Sequence, residues 1–373
     1  MMNLKEVVKP AVGFIKSLKA KDTIAIVHGH DCDSITSAAI LFKLIKSLTK
    51  KGPELVISEQ NSGVTEGTFT RLKRLKPTHT IIVDIPNIPV GIETKLRNIT
   101  NVLIIDHHVP KGYAKITYVN PRIFDRDSYL PVAYLCFRIY DEMLGAKNIA
   151  WIAGIGTLSD MGMKNCQDLF DRIRKESRDL VDNLDNDDEL LMEKSLLGKM
   201  TKTVDSCMVV KDIPGSVFAL KVLIDSKGHN DVMKNATMKK YSKAVEDEFA
   251  KLQKDFEKNK KISEGMVAYE IKSAMRLKSA FANYLERNFQ DSVVVVYQKE
   301  KMEYNFSLRR GRNVSIDLDS IAKEAVRGIE GANGGGHPAA AGLRVQISQF
   351  KPIFENLRLK IKLESTKTPN KPK

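Results

Sequence analysis

Cysteine is scarce in this chain of 373 residues: Cys32, Cys136, Cys166 and Cys207 lie far apart, with no CxxC pair among them. That excludes a disulfide framework and a zinc ribbon, and it fits a reducing, cytoplasmic setting. Long apolar runs are missing as well. The first residues, MMNLKEVVKPAVGFIKSLKAKD, lack the apolar core of a signal peptide and read as a short amphipathic helix interrupted by lysines, so no membrane partner is expected. No internal repeat is present. Acidic residues are in deficit, 46 against 60 lysines and arginines, for a formal net charge of +14. Such a balance favours a polyanionic partner, nucleic acid ahead of an acidic membrane. The length accommodates two domains, since a single domain usually takes roughly 100 to 200 residues.

What is present begins with alternation. TIAIVH, ELVISE, HTIIVDI, NVLIID and ITYVN are rich in Ile, Val and Thr, and the stretches between them carry apolar residues three and four apart. This βαβ pattern predicts a mostly parallel sheet with helices on both faces. After Ile35, the spacing of Ala38, Ala39, Phe42 and Ile45 predicts one helix with a buried stripe. Residues 163–228 read as helical with few chemical cues. From about 230 to 262, Met238, Tyr241, Val245, Phe249, Leu252 and Phe256 form a narrow seam on an otherwise charged helix, which predicts a helical connector. Beyond it, MVAYEI, SVVVVY and EYNFSL are strand candidates and SAFANYLERNF and LDSIAKEAV helix candidates. GANGGGHPAAAG reads as a glycine loop leading into a last strand, LRVQI, and STKTPNKPK as a disordered tail.

Chemistry gathers where parallel strands end, the place where open α/β sheets bind ligands. TIAIV is followed by His28, His30, Asp31 and Asp33; TIIV by Asp84; NVLII by Asp106, His107 and His108; and GIGTLSDMG supplies Asp160. Singly each is weak, because an aspartate at a strand end is most often a helix cap. Together, imidazoles and carboxylates without thiolates suit Mn²⁺ or a similar divalent ion. Two such ions about 3.5 to 4 Å apart serve phosphoryl transfer, so phosphoester hydrolysis is the natural reaction. His28 and His30 fall on the same side of the extended strand, and periodicity does not choose between them. No Ser or Cys arrangement suggests a covalent nucleophile, which leaves water.

DCD at 31–33, the lone Asp84, DHH at 106–108 and Asp160 in GTLSDMG resemble, in order, the four motifs of the DHH phosphoesterase superfamily. GGGHPAAAG resembles the signature of its DHH-associated C-terminal domain. The subgroup resembled is the RecJ-like and nanoRNase-like nucleases. The resemblance implies an α/β fold: a parallel-sheet DHH domain over 1–228, a long helical connector over 229–262, a smaller mixed α/β substrate-binding domain over 263–363 with the active-site cleft between the two domains, and a disordered tail over 364–373. It implies two Mn²⁺ ions, with Mg²⁺ as an alternative. Asp31 would ligate one metal and Asp33 the other, Asp84 would bridge, and His107 and Asp160 would complete the second site, with His28 or His30 as a further ligand. His108 would touch phosphate or orient its neighbour, and Asp106 would hold a histidine in its ligating tautomer. Here Ser34 stands where a glycine is frequent, and Val27 where pyrophosphatase-like members have a histidine.

In the C-terminal part, Gly334, Gly335 and Gly336 permit either a tight turn or close approach of backbone to a phosphate, and His337 adds a polar contact. Ser307 and Arg309 in FSLRR resemble the accompanying strand motif, Arg309 offering a two-pronged phosphate contact. The expected activity is metal-dependent exonuclease action on single-stranded DNA or RNA, with replication or repair proteins as further partners. The rivals are a phosphodiesterase of small nucleotides, a replisome-associated DHH protein with a docking role, and a family II pyrophosphatase.

Overall fold

The computed structural model describes residues 3–58, 63–113, 115–145, 148–181 and 187–367. It divides into two compact units, Met1–Lys243 and Ala244–Lys373.

The first unit is built on five parallel strands, β1 (Ile24–His28), β2 (Glu54–Ile57), β3 (His79–Val83), β4 (Asn101–Ile105) and β5 (Thr117–Val119), in the order β2-β1-β3-β4-β5. Alternation along these strands feeds two cores. Ile24, Ile26, Ile81, Val83, Leu103 and Ile105 face the larger one, and Ala25, Val27, Ile82, Val102 and Ile104 face the smaller. Register aligns the carboxyl ends: His28 pairs with Ile57 and Val83, Val83 with Ile105, and Ile105 with Val119. Every segment that follows a strand therefore leaves from one edge, which is what gathers the site.

The helix Cys32–Thr49 starts on Asp31, whose Oδ1 accepts the Ser34 N–H at 2.9 Å, and it buries Ile35, Ala38, Ala39, Leu41, Leu44 and Ile45. Leu196–Asp225 is helical with a break at Asp212 (φ 54°, ψ −141°), two residues before Pro214. Proline lacks the N–H of the helical ladder and its ring crowds the turn before it, so the helix cannot run through this point unbroken. Gly215 lies so close to the preceding turn that a Cβ there would stand 1.8 Å from the Cys207 carbonyl oxygen. After the break, the Ser216 hydroxyl donates to the His30 carbonyl at 2.6 Å, tying this helix to the segment that follows β1.

The second unit carries a mixed sheet of six strands: β6 (Lys261–Ser263), β7 (Met266–Glu270), β8 (Val293–Lys299), β9 (Glu303–Arg310), β10 (Asn333–His337) and β11 (Ala340–Gln346), ordered β10-β11-β9-β8-β7-β6. Only β7 and β8 are parallel, joined through the helix Lys278–Asn288; the other pairs are antiparallel. The helix Ala236–Asn259 spans the division: Met238 belongs to the first unit's core, while Phe249 and Phe256 pack edge-to-face against Phe281 in the second.

Two expectations need correction. The glycines do not form a loop: Asn333–His337 is a strand paired antiparallel with Ala340–Gln346, because small residues on both partners let the hairpin close tightly. A Cβ on Gly336 would lie 2.6 Å from the Ala341 Cα, and one on Gly334 would lie 2.6 Å from the Ala322 carbonyl oxygen. Nor is 364–367 disordered: the helix Phe350–Lys367 runs through it, anchored by buried Ile353, Leu357 and Ile361. Residues 368–373 of the expected tail lie outside the described residues. No helix among the described residues is long and apolar enough to cross a membrane.

Candidate active site

At the end of β1, His28 is buried and its Nδ1 lies 2.6 Å from the Gly29 carbonyl oxygen, which assigns the proton to Nδ1. Burial, against a weaker opposing hydrogen bond, holds the ring down to about 4, so it is neutral at physiological pH. His30 is also buried. Asp33 sits in the first turn of its helix and accepts the Val132 N–H at 2.7 Å and the Ala133 N–H at 2.8 Å. Those are the orphan donors of the helix Val132–Leu144, which Pro131 cannot cap with a side chain. Gly156 permits the approach of the helix Ala150–Ser159 here, since a Cβ would meet the Thr36 hydroxyl at 2.1 Å and Asp33 Oδ1 at 3.0 Å. That helix ends at Asp160.

Asp84 follows β3 with φ 55°, a left-handed backbone that turns its carboxylate inward. Its Oδ2 accepts the Ser34 hydroxyl at 2.6 Å, and its Oδ1 is buried without a hydrogen-bond partner. His107 Nε2 lies 3.5 Å from Asp84 Oδ1 and 3.7 Å from Asp160 Oδ2. Two triads of possible ligand atoms result, Asp84–His107–His108 and Asp33–His107–Asp160, the atoms of each within 4.8 Å of one another. His28, His30 and Asp31 stand outside both, Asp31 serving as the cap already described. Asp106 supports His108 rather than its neighbour: the Nδ1–Oδ1 distance is 2.8 Å. A proton on Nδ1 leaves the His108 Nε2 free to ligate, the arrangement usual for carboxylate-supported metal histidines.

The electrostatics are those of a site short of positive charge. Burial and then the charge of Asp160 drive the Asp33 carboxyl well above its ordinary range, against the pull of two backbone N–H groups. Burial and the charges of Asp31, Asp33 and Asp160 do the same to Asp84. Asp160 is pushed up to about 6, by burial first and Asp31 second. His107 is held down to about 4, chiefly by burial and then by His108, with Arg122 adding to the effect. For His108, burial works against the charged form, but the hydrogen bond and charge of Asp106 outweigh it and raise the ring. Clustered carboxylates, an orphaned carboxylate oxygen and a neutral imidazole between them form a donor set that fits divalent cations.

In the second unit, pairing places Ser307 opposite Gly342 and Gly342 opposite Gly335, and likewise Arg309, Ala340 and His337. Residues in such a cross-strand row share one face, so the small residues of β11 leave a trough between the β9 side chains and β10. Arg309 is not a free fork. Its Nε donates to Asn283 Oδ1 and its Nη1 to the Leu308 carbonyl at 2.9 Å, which leaves its remaining donors for a ligand. Ser307 shares a 3.1 Å hydroxyl contact with Ser279. The Gly336 N–H, expected to face a phosphate, donates instead to Asp319 Oδ1 at 2.8 Å.

Several contributors escaped sequence reasoning. Tyr129 donates its hydroxyl to the Asp160 carbonyl at 3.0 Å and Oδ2 at 3.2 Å, and its ring lies 5.3 Å from that of His107. Asn120 donates to the His108 carbonyl at 2.9 Å; the Asn-Pro pair after a strand was the signal that could have flagged it. Asp205, half-buried on the 196–225 helix, is pushed up to about 6 by loss of hydration and by Asp31.

Residues 23–157 match the DHH family, N-terminal domain, and residues 265–362 match the DHHA1 domain. Fold and site thus define a hydrolase of phosphoester bonds, and the chain belongs to the DHH family. No curated protein sequence matches it. Among solved structures it resembles a DHH-domain protein described as a member of a family of ribosomal proteins (TM-score 0.75, 15% identity, covering 96% of this chain and 91% of that one). RecJ from Thermus thermophilus, solved with Mn²⁺, gives a TM-score of 0.73 at 14% identity, covering 99% of this chain and 56% of that one. Exonuclease RecJ bound to manganese gives 0.64 at 15% identity, covering 99% and 96%. At such identities the likeness is one of fold.

Proposed function

We propose that the protein is a metal-dependent exonuclease that hydrolyses single-stranded DNA or RNA. The observation that carries this reading is His107 Nε2 set between Asp84 Oδ1 and Asp160 Oδ2, with the Asp84 oxygen buried and unpartnered. Asp84 would be shared between two ions, one also held by His107 and His108, the other by Asp33 and Asp160; Mn²⁺ or Mg²⁺ suits the donors. Bound there, the pair supplies activation of water and neutralisation of phosphate charge. The chain's own part is orientation. Asp106 fixes the His108 tautomer, Tyr129 steadies Asp160, Ser34 steadies Asp84, and the two N–H groups at 132 and 133 hold Asp33. Arg309 and His337 would hold phosphates, and the net charge of +14 favours a polyanion.

The test uses DNA and RNA oligonucleotides labelled at either end, incubated with Mn²⁺ or Mg²⁺. Stepwise ladders from one end are expected, with binding that falls steeply as salt rises. Asp84→Ala should abolish the ladders and lower bound metal from two per chain. Hydrolysis confined to dinucleotides, with little salt dependence, would replace this reading by a small-nucleotide phosphodiesterase.

A further inference from the structure

The segment 120–129 is fastened to the site at both ends. Asn120 holds the His108 carbonyl at 2.9 Å, and Tyr129 holds Asp160 through its hydroxyl. Between these anchors the chain is ordered by its own turns: the N–H groups of Phe124 and Asp125 donate to the Pro121 carbonyl at 3.0 and 3.1 Å, and that of Ser128 to the Asp125 carbonyl at 3.1 Å. On this ordered turn Ile123 is 54% exposed and Phe124 58% exposed. Val109, next to His108, is 70% exposed.

Arg122 sits inside the same turn. Its N–H donates to Asn120 Oδ1 at 2.9 Å, and its side-chain Nε is buried with no hydrogen-bond partner. That nitrogen is closed to solvent, so a phosphate contact falls to the rest of the guanidinium, whose positive charge is felt at His107. Phe124 is four residues from Asn120, hence within about 14 Å of it even at full extension, and the 3₁₀ turn Pro121–Ile123 shortens that reach.

We infer that the turn 121–126 binds one nucleotide of a single-stranded polynucleotide beside the metal site, Arg122 taking a phosphate and Phe124 stacking on a base. The inference rests on the exonuclease reading above and adds a subsite to it. Three exposed apolar side chains are too few for a stable protein interface, which takes about 20 residues or more on each side. An exposed aromatic side chain two residues along the chain from a cation offers the two groups that single-strand binders use, tolerant of base identity because every base has a flat face. Of the aspartates in the segment, Asp125 is engaged in the turn through its carbonyl and its Oδ1, which accepts the Asp127 N–H at 3.1 Å; Asp127 is the charge that opposes a phosphate.

The test compares a single-stranded oligonucleotide with a strand of equal length whose terminal nucleotides are abasic, using the full chain. Binding is read in EDTA and hydrolysis with Mn²⁺. Wild type should prefer the strand with bases; Phe124→Ala should erase that preference with a loss of roughly 5- to 150-fold, and Phe124→Tyr should retain it. Phe124→Trp should be quenched by the ordinary strand and not by the abasic one, against a constant background from buried Trp151, the only native tryptophan. Arg122→Ala should weaken both strands alike and reduce the salt slope by about one. Wild-type preference in Phe124→Ala, or equal quenching of Phe124→Trp by the two strands, overturns the stacking subsite while leaving the exonuclease intact. If wild type neither binds nor cuts either strand, the exonuclease reading falls and the subsite with it.

Discussion

Asp84 keeps a left-handed backbone and a buried oxygen with no partner, two costs that a carboxylate with a purely structural role would not retain. In the metal-free chain Asp33, Asp84 and Asp160 repel one another, and all three hold their protons to higher pH than in the unfolded chain. Their contribution to stability is therefore complete below the ordinary carboxylate range and is lost as pH rises, through about 6 for Asp160. Asp84→Asn removes one of the repelling charges. Without metal at pH 8 it should stabilise the chain, since the desolvation and repulsion that raise the Asp84 carboxyl are relieved, and Mn²⁺ should no longer add to stability. Urea unfolding with and without Mn²⁺ measures both, and a destabilised metal-free variant would show that the repulsion is absent. That Asp33, Asp84, His107, His108 and Asp160 would meet was legible because aspartates and histidines recur after successive apolar runs; that His28, His30 and Asp31 stand outside both triads was not. Their pairings were not: that Asp106 serves His108, or that Tyr129 serves Asp160, depends on loop paths that no spacing encodes.

Among the elements, β1, β3 and β4 were readable because strands of a sheet covered on both faces are nearly continuous Ile, Val and Leu. The glycine strand β10 was not, since glycine has little strand preference and its pairing depends on the small residues of β11 opposite. The break at Asp212 was announced by the Pro-Gly pair at 214–215 in an otherwise helical stretch, a signal that gained meaning only with Gly215 pressed on the Cys207 carbonyl. Close contact, rather than turning, is also what requires Gly334. A methyl group there would meet the Ala322 carbonyl oxygen at 2.6 Å and Leu343 Cδ2 at the same distance. Gly334→Ala should cost about 1–3 kcal/mol by overpacking. Thermal melting should show the loss and metal analysis should show unchanged content; an unaltered melting temperature would mean that the 318–325 helix yields to the methyl.

At the scale of the whole chain, each unit has its own core, and every residue of the two candidate metal triads lies in the first. Mn²⁺ should therefore act on one half of the molecule. Calorimetry should resolve two transitions, of which only one rises with Mn²⁺, by the equivalent of about 2.7 kcal/mol at a hundredfold excess over the dissociation constant. A uniform rise of a single transition would show that the halves unfold together. The second sheet ends in two open edges, β6 with three residues and β10 with its glycines. Unpaired edge strands are templates on which a second chain can add, and stacked additions become fibres. The short length of β6 protects one edge. At the other, Asp319 takes the outward Gly336 N–H and puts a carboxylate where an incoming strand would dock, so one aspartate on a neighbouring helix helps keep this chain from polymerising through its own sheet.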